Sequence, residues 1–204
     1  VIGAADEAAL AAGRDPRVAV VVVGYRNAED VARCLAALGR STWTRLEVVV
    51  VENGGQAAFA ALCAATRDAL DGGQPVSRVE APDNLGFAGG VNLGIATTPD
   101  ADAWWILNPD TEAEPTALAA MVARLQRGDC EAVGSVLYGP GGRIQAYGGR
   151  WQGWLARAVS LGMGANLDDP VDAAAIEQRQ NYLLGASMLV SRRFLERAGI
   201  MRED

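Results

Sequence analysis

Val18-Ala19-Val20-Val21-Val22-Val23-Gly24-Tyr25-Arg26-Asn27 opens with six apolar residues in a row and no alternation. That is the pattern of a strand buried on both faces. Residues 28–38 follow with Val31, Leu35 and Leu38 on one helical face. The same rhythm then repeats: a second buried strand over 46–51, a helix over 57–70, a turn cluster at 71–75 and a short strand over 76–80. The spacing predicts a helix over 86–96, a Trp- and Ile-rich strand over 103–107, a helix beginning at Pro115 and a strand over 131–137. Strands alternating with helices in this way specify an α/β fold, a Rossmann-like, mostly parallel sheet with helices on both faces.

Beyond Tyr138 the rhythm changes. Gly139-Pro140-Gly141-Gly142 predicts a tight turn, residues 143–151 a hairpin arm, 182–191 a further strand and 192–198 a short helix. Residues 152–180 carry no clear period. Trp104 and Trp105 are expected to pack in the fourth strand. Trp151, Trp154 and Leu155 are expected in the core under the variable segment, with an acceptor-facing, sugar-stacking surface as the other reading. Without an internal repeat or linker, the chain divides into an N-terminal arm, 1–17, and one domain, 18–204.

Composition narrows the chemistry. The 204 residues include no histidine, which excludes Ser-His-Asp and Cys-His catalysis and His-ligated zinc within the chain. Cys34, Cys63 and Cys130 are scattered and odd in number, as expected of free thiols in a reducing compartment. A net charge of −7 argues against nucleic acid, or an anionic membrane, as the main partner. No apolar stretch approaches the roughly 18 residues that would span a bilayer, and no signal peptide is recognisable. Carboxylates, hydroxyls, Arg and an oxygen-ligated cation remain.

In open α/β sheets, ligands bind beyond the carboxyl ends of the strands. Three strand ends carry polar residues: Gly24-Tyr25-Arg26-Asn27, Glu52-Asn53-Gly54-Gly55 and Asn108-Pro109-Asp110-Thr111. Each alone could be an ordinary turn. The first has a single Gly where a dinucleotide fold needs G-x-G-x-x-G, and no P-loop is present. Asp83-Asn84-Leu85-Gly86-Phe87-Ala88-Gly89-Gly90-Val91-Asn92 is more specific. Its glycines allow close backbone approach, and a helix N-terminus offers free N–H groups to phosphate.

Taken in order, these segments resemble the family-2 glycosyltransferases, in particular the rhamnosyltransferase-like and galactofuranosyltransferase-like branch. Val49-Val50-Val51-Glu52-Asn53-Gly54 is similar to that family's V-V-D-N-x-S segment. Asn84 to Gly94 is similar to N-x-G-F-(A/G)-x-x-x-N-x-G, Leu107 to Asp110 to the L-N-P-D form of D-x-D, and Gly185 to Leu189 to G-A-x-M-L. The resemblance implies a GT-A fold and inverting transfer from a nucleotide-diphospho-sugar to a glycan or lipid-linked acceptor. It implies donor contacts at Gly24, Tyr25, Arg26, Glu52, Asn53, Asn84, Gly86, Phe87, Ala88, Asn92 and Asn108. Asp110 would coordinate Mg²⁺ or Mn²⁺, and Gly185, Ala186 and Ser187 would lie on the acceptor side.

Two departures stand out. Glu52 replaces the family's usual Asp. The general base of the resemblance follows the segment that Gly199 to Asp204 begins, so it is expected beyond Asp204, in a chain truncated at its C-terminus; Glu203 is expected to be a structural or tail residue. The alternatives are a nucleotide-sugar-binding module lacking the base and, less favoured, a nucleotidyltransferase. The expected location is the cytoplasm, or the inner face of the membrane as a peripheral protein, and no nucleic acid is expected as a partner.

Overall fold

A computed structural model describes residues 15–203. Most of the expected N-terminal arm, residues 1–14, and Asp204 lie outside the described residues. A six-stranded sheet forms the centre, in the order β3-β2-β1-β4-β10-β5. Its strands are β1 (Val18–Gly24), β2 (Leu46–Glu52), β3 (Val76–Glu80), β4 (Ala103–Leu107), β5 (Ala132–Gly134) and β10 (Ser187–Ser191). β1 pairs in parallel with β2 and β4, and β2 with β3.

The strand expected over 131–137 is only three residues long as β5, and β10 lies between it and β4, antiparallel to both. Leu189 and Val190 are buried on opposite faces, which suits an interior position. Trp105 Nε1 donates to Ser187 Oγ at 2.9 Å, so one of the two buried Trp side chains of β4 has its polar atom satisfied only with β10 in place.

The unbroken apolar run of β1 is explained by two cores. Val18, Val20 and Val22 face α1 (Ala28–Leu38), α2 (Gln56–Ala65) and α4 (Ala117–Leu125), through Val31, Leu35, Leu62, Leu118 and Val122. Ala19 and Val21 face the other way, onto Val91 and Ile95 of α3 (Gly86–Thr97). On that side Gly90 and Gly94 make a close approach possible. A Cβ on Gly90 would lie 2.6 Å from Val23 Cγ1, and one on Gly94 2.5 Å from Val21 Cγ1.

Helix α2 stops at Ala65, five residues short of the expected end. Thr66 turns extended and its Oγ1 donates to Leu62 O at 2.7 Å, and Ala69 then bridges Pro75. The expected arm over 143–151 is split in two. β7 (Ile144–Ala146) pairs back with β6 (Leu137–Tyr138), while β8 (Gly148–Gln152) pairs with β9 (Arg157–Leu161). Two short helices follow, α5 (Ala173–Arg179), capped by Asp172, and α6 (Arg192–Ala198), after β10 and capped by Ser191. Trp104 and Trp105 are buried as expected, but Trp151, Trp154 and Leu155 are not core: they are 48%, 88% and 48% exposed. Among the described residues, no helix is long and apolar enough to cross a membrane.

Cys34 is fully buried beneath β4, whereas Cys63 is exposed. Burial pushes the Cys34 thiol up to about 12, with the Asp110 and Glu112 carboxylates adding to the rise. Alkylation of the native protein at mildly alkaline pH should therefore modify Cys63 and leave Cys34 free, as peptide mass mapping would show. The folded protein holds this proton more tightly than the unfolded chain. Its contribution to stability is complete below pH 9.0 and is lost as pH rises towards 12.

Candidate functional site

Parallel pairing brings the ends of β1, β2 and β4 to one edge of the sheet. The loop after β1 is drawn tight: Asn27 Oδ1 accepts from Tyr25 N at 3.0 Å, and Arg26 takes a left-handed conformation with φ 57°. Tyr25 is half exposed, and the Arg26 guanidinium lies 5.1 Å from its ring centroid. A cation and an aromatic face thus stand together at the opening of the edge.

Glu52 is completely buried under this loop. Its Oε1 accepts from Arg26 N at 2.9 Å and from Gly54 N at 2.8 Å, which ties the β1 and β2 loops together. The longer Glu side chain, rather than the Asp of the resemblance, makes both bonds. Its Oε2 is buried without a hydrogen-bond partner, 2.9 Å from where a Cβ on Gly24 would sit. Asn53, also buried, donates from Nδ2 to Gly86 O at 2.8 Å, and its Oδ1 is left unpartnered. Two buried acceptor atoms at one strand end therefore lack donors. Such atoms are uncommon in native proteins without a ligand or water to fill them.

The Asn84 loop joins this group. Asn84 Oδ1 accepts from Gly86 N at 3.0 Å, and Gly86 adopts φ 68°, which a side chain rarely takes. Phe87 is exposed, Ala88 is half-buried, and Gly185 lies against the Phe87 ring, where an added Cβ would sit 3.6 Å from Cε1. On the other flank, Asn108 N donates to Ala186 O at 2.9 Å. Asp110 is exposed just beyond, with Glu112 also exposed. The residues expected for the donor, the metal and the acceptor side therefore border one edge. Ser187 is an exception, being buried and committed to Trp105.

Asn92 is a second exception. It is buried on α3, and its amide is occupied by the end of the chain: Oδ1 accepts from Met201 N at 2.9 Å, while Nδ2 donates to Met201 O at 2.9 Å and to Glu203 Oε1 at 2.7 Å. Met201 and Glu203 lie 109 and 111 residues away, so no local pattern could announce them. Asn92→Asp is expected to place two carboxylates together and abolish slow exchange of the Met201 amide. Adding Glu203→Gln restores a donor and should recover most of that protection. Hydrogen exchange on the two variants checks both outcomes.

No group of three or more His, Cys, Asp or Glu side chains able to hold a metal occurs among the described residues. A cation at Asp110 would thus take most of its oxygens from phosphate and water, a donor set that suits a hard divalent ion. A cavity of about 350 Å³ lies elsewhere, between β5 and α5, lined by Arg124, Cys130, Tyr147 and Ile176.

A family model, Glycosyl transferase family 2, matches residues 19–179. No curated protein matches the sequence. Among solved structures, the chain is similar to the mannosyltransferase PcManGT from Pyrobaculum calidifontis, in complex with GDP-Man and Mn2+. The TM-score is 0.64 and the identity 18%, over 94% of this chain and 49% of that one. It is similar to GalNAc-T7 with UDP, GalNAc and Mn2+, at TM-score 0.68 and 16% identity over 92% of this chain and 37% of that one. S. aureus TarS 1-349 in complex with UDP-GlcNAc follows at TM-score 0.52 and 15% identity, over 62% and 36%. The chain spans about half or less of the length of these structures. With β1 to β4 in parallel, the polar strand ends on one edge and a family model covering most of its length, this chain has the GT-A fold and belongs to glycosyl transferase family 2.

Proposed function

We propose that residues from 18 onward form one donor-binding domain that transfers a hexose or deoxyhexose, with inversion, from a nucleotide-diphospho-sugar to a glycan or lipid-linked hydroxyl. The observation that carries this reading is the pair of buried, unpartnered acceptors, Glu52 Oε2 and Asn53 Oδ1, where the β1, β2 and Asn84 loops meet. A base N–H or a ribose hydroxyl supplies the missing donors, and Tyr25 with Arg26 flanks the nucleotide. Asn84, Gly86, Phe87 and Ala88 border the sugar, Asn108 the diphosphate, and Gly185 and Ala186 the acceptor.

Asp110 would hold Mg²⁺ or Mn²⁺, which supplies positive charge to the leaving diphosphate. In the transfer, the acceptor oxygen bonds to the anomeric carbon as the bond from that carbon to the diphosphate oxygen breaks. The nucleoside diphosphate leaves with the electron pair, and a carboxylate takes the hydroxyl proton. By the resemblance this carboxylate follows Asp204, and Asn92 fixes the segment that leads to it. On this reading the protein acts in the cytoplasm, or as a peripheral protein at the inner face of the membrane, in glycan assembly for the cell envelope.

Calorimetric titration with UDP, dTDP and GDP, each with and without Mn²⁺, tests the proposal. At least one should bind, and more tightly with the metal. If none binds, the donor site is wrongly assigned. Binding without any sugar transfer would leave a nucleotide-sugar-binding module in its place.

A further inference from the structure

The hairpin of β8 and β9 exposes what a soluble surface normally covers. At its tip, Trp154 is 88% exposed, and Trp151 and Leu155 are each 48% exposed. The hairpin is also braced. Asn181 Oδ1 accepts from Trp151 N at 2.6 Å, Asn181 Nδ2 donates to Trp151 O at 3.0 Å, and the Tyr182 ring fills the space where a Cβ on Gly149 would sit. These side chains are therefore presented to solvent on an ordered support. Clustered large apolar groups held in water mark a surface that meets a partner.

Charge identifies the partner. In a chain of net charge −7, residues 132–167 contain Arg143, Arg150 and Arg157 and no Asp or Glu. Arg150 and Arg157 flank the aromatic tip and are exposed. The register sets Gln152 opposite Arg157, and Arg150 is two residues from Gln152, so both Arg side chains share one face of the hairpin. Trp and an aliphatic side chain at the tip, with Arg on either side of it, is the chemistry of a headgroup-level membrane contact. The acidic remainder of the protein does not oppose this at physiological salt, where charges beyond about 8 Å are screened.

We infer that the β8–β9 tip docks on an anionic phospholipid surface, with Trp154 and Leu155 at the boundary between headgroups and acyl chains and Arg150 and Arg157 on phosphates. A glycan fits less well. Trp151 and Trp154 offer rings to stack on, but residues 150–157 offer Gln152 as their only uncharged polar side chain, too few groups to bond sugar hydroxyls, and a sugar leaves the aliphatic Leu155 uncovered. Tyr182, which supports the hairpin, is three residues before Gly185, so a docked tip sets the acceptor-side segment near the lipid. The docking itself does not depend on donor binding.

The test is co-sedimentation of the full chain with vesicles of phosphatidylcholine alone, or mixed with phosphatidylglycerol, while tryptophan emission is followed. Binding to the mixed vesicles is expected, weakened by added salt and accompanied by a blue shift. Arg150→Gln with Arg157→Gln should weaken it roughly 25-fold, at about fivefold per Arg. Trp154→Ser should weaken it about tenfold or more, with the thermal midpoint unchanged because the side chain is solvent-exposed. The proposal is overturned if neither vesicle binds, if both bind equally, or if the variants bind as the parent does. A blue shift on adding a soluble oligosaccharide without vesicles would assign the tip to glycan and overturn it as well.

Discussion

Asp110→Ala is expected to weaken Mn²⁺-supported nucleotide binding by on the order of 100-fold, while the much weaker metal-free binding stays the same. Asp110 is exposed at the end of β4, and its neighbour Asn108 can accept a hydrogen bond but brings no charge. No cluster of metal-ligating side chains stands by to replace it among the described residues. Removing Asp110 would therefore remove the carboxylate proposed to hold the cation. The fold should not suffer, because the side chain leaves no buried gap; an unchanged thermal midpoint checks this. Glu112→Ala, two residues on, should change affinity far less. Calorimetry with and without Mn²⁺ separates these results, and equal metal-dependent affinity in parent and Asp110→Ala would remove Asp110 from the site.

Gly94→Val is expected to destabilise the fold by about 3 kcal/mol or more, lowering the thermal midpoint by roughly 6–12 °C for a chain of this size. The cause is geometric. A Cβ there would lie 2.5 Å from Val21 Cγ1, and Val21 is itself fully buried in the central strand. Neither partner can swing away, so α3 must lift from the sheet. The same helix supplies Gly86 and Phe87 to the candidate site and Asn92 to the end of the chain. Nucleotide affinity should consequently fall with stability. Ala96→Val, on the exposed side of α3, is the control and should cost only a few tenths of a kcal/mol. A melting curve of the two variants decides the matter. Equal midpoints would mean that the helix does not rely on its glycines.

Much of this architecture was legible because its signals are local. The apolar runs of β1 and β2 and the facing residues Val31, Leu35 and Leu38 needed only their own periodicity. The strand ends were legible too, since parallel pairing forces them to one edge. What depended on distant partners was not. Nothing within Ser187–Ser191 states that it will sit between β4 and β5, and nothing around Asn92 names Met201. The role of Glu52 was read as contact with the nucleotide. That its Oε1 brackets two loops and its Oε2 stays unpaired depends on how loops 26 residues apart meet in space. Trp151, Trp154 and Leu155 were misplaced because hydrophobicity alone does not distinguish a core from a surface awaiting a partner.

The insertion of β10 also sets a timetable for synthesis. As the ribosome delivers the chain, β1 to β4 can assemble early, but β4 then keeps one bare edge until residues 187–191 emerge about eighty residues later. An open, apolar strand edge is a template for pairing with other chains. The nascent protein is thus most vulnerable to aggregation during that interval, and any truncation before Ser187 would make the vulnerable state permanent. The last strand of the sheet to be made is the one that seals it.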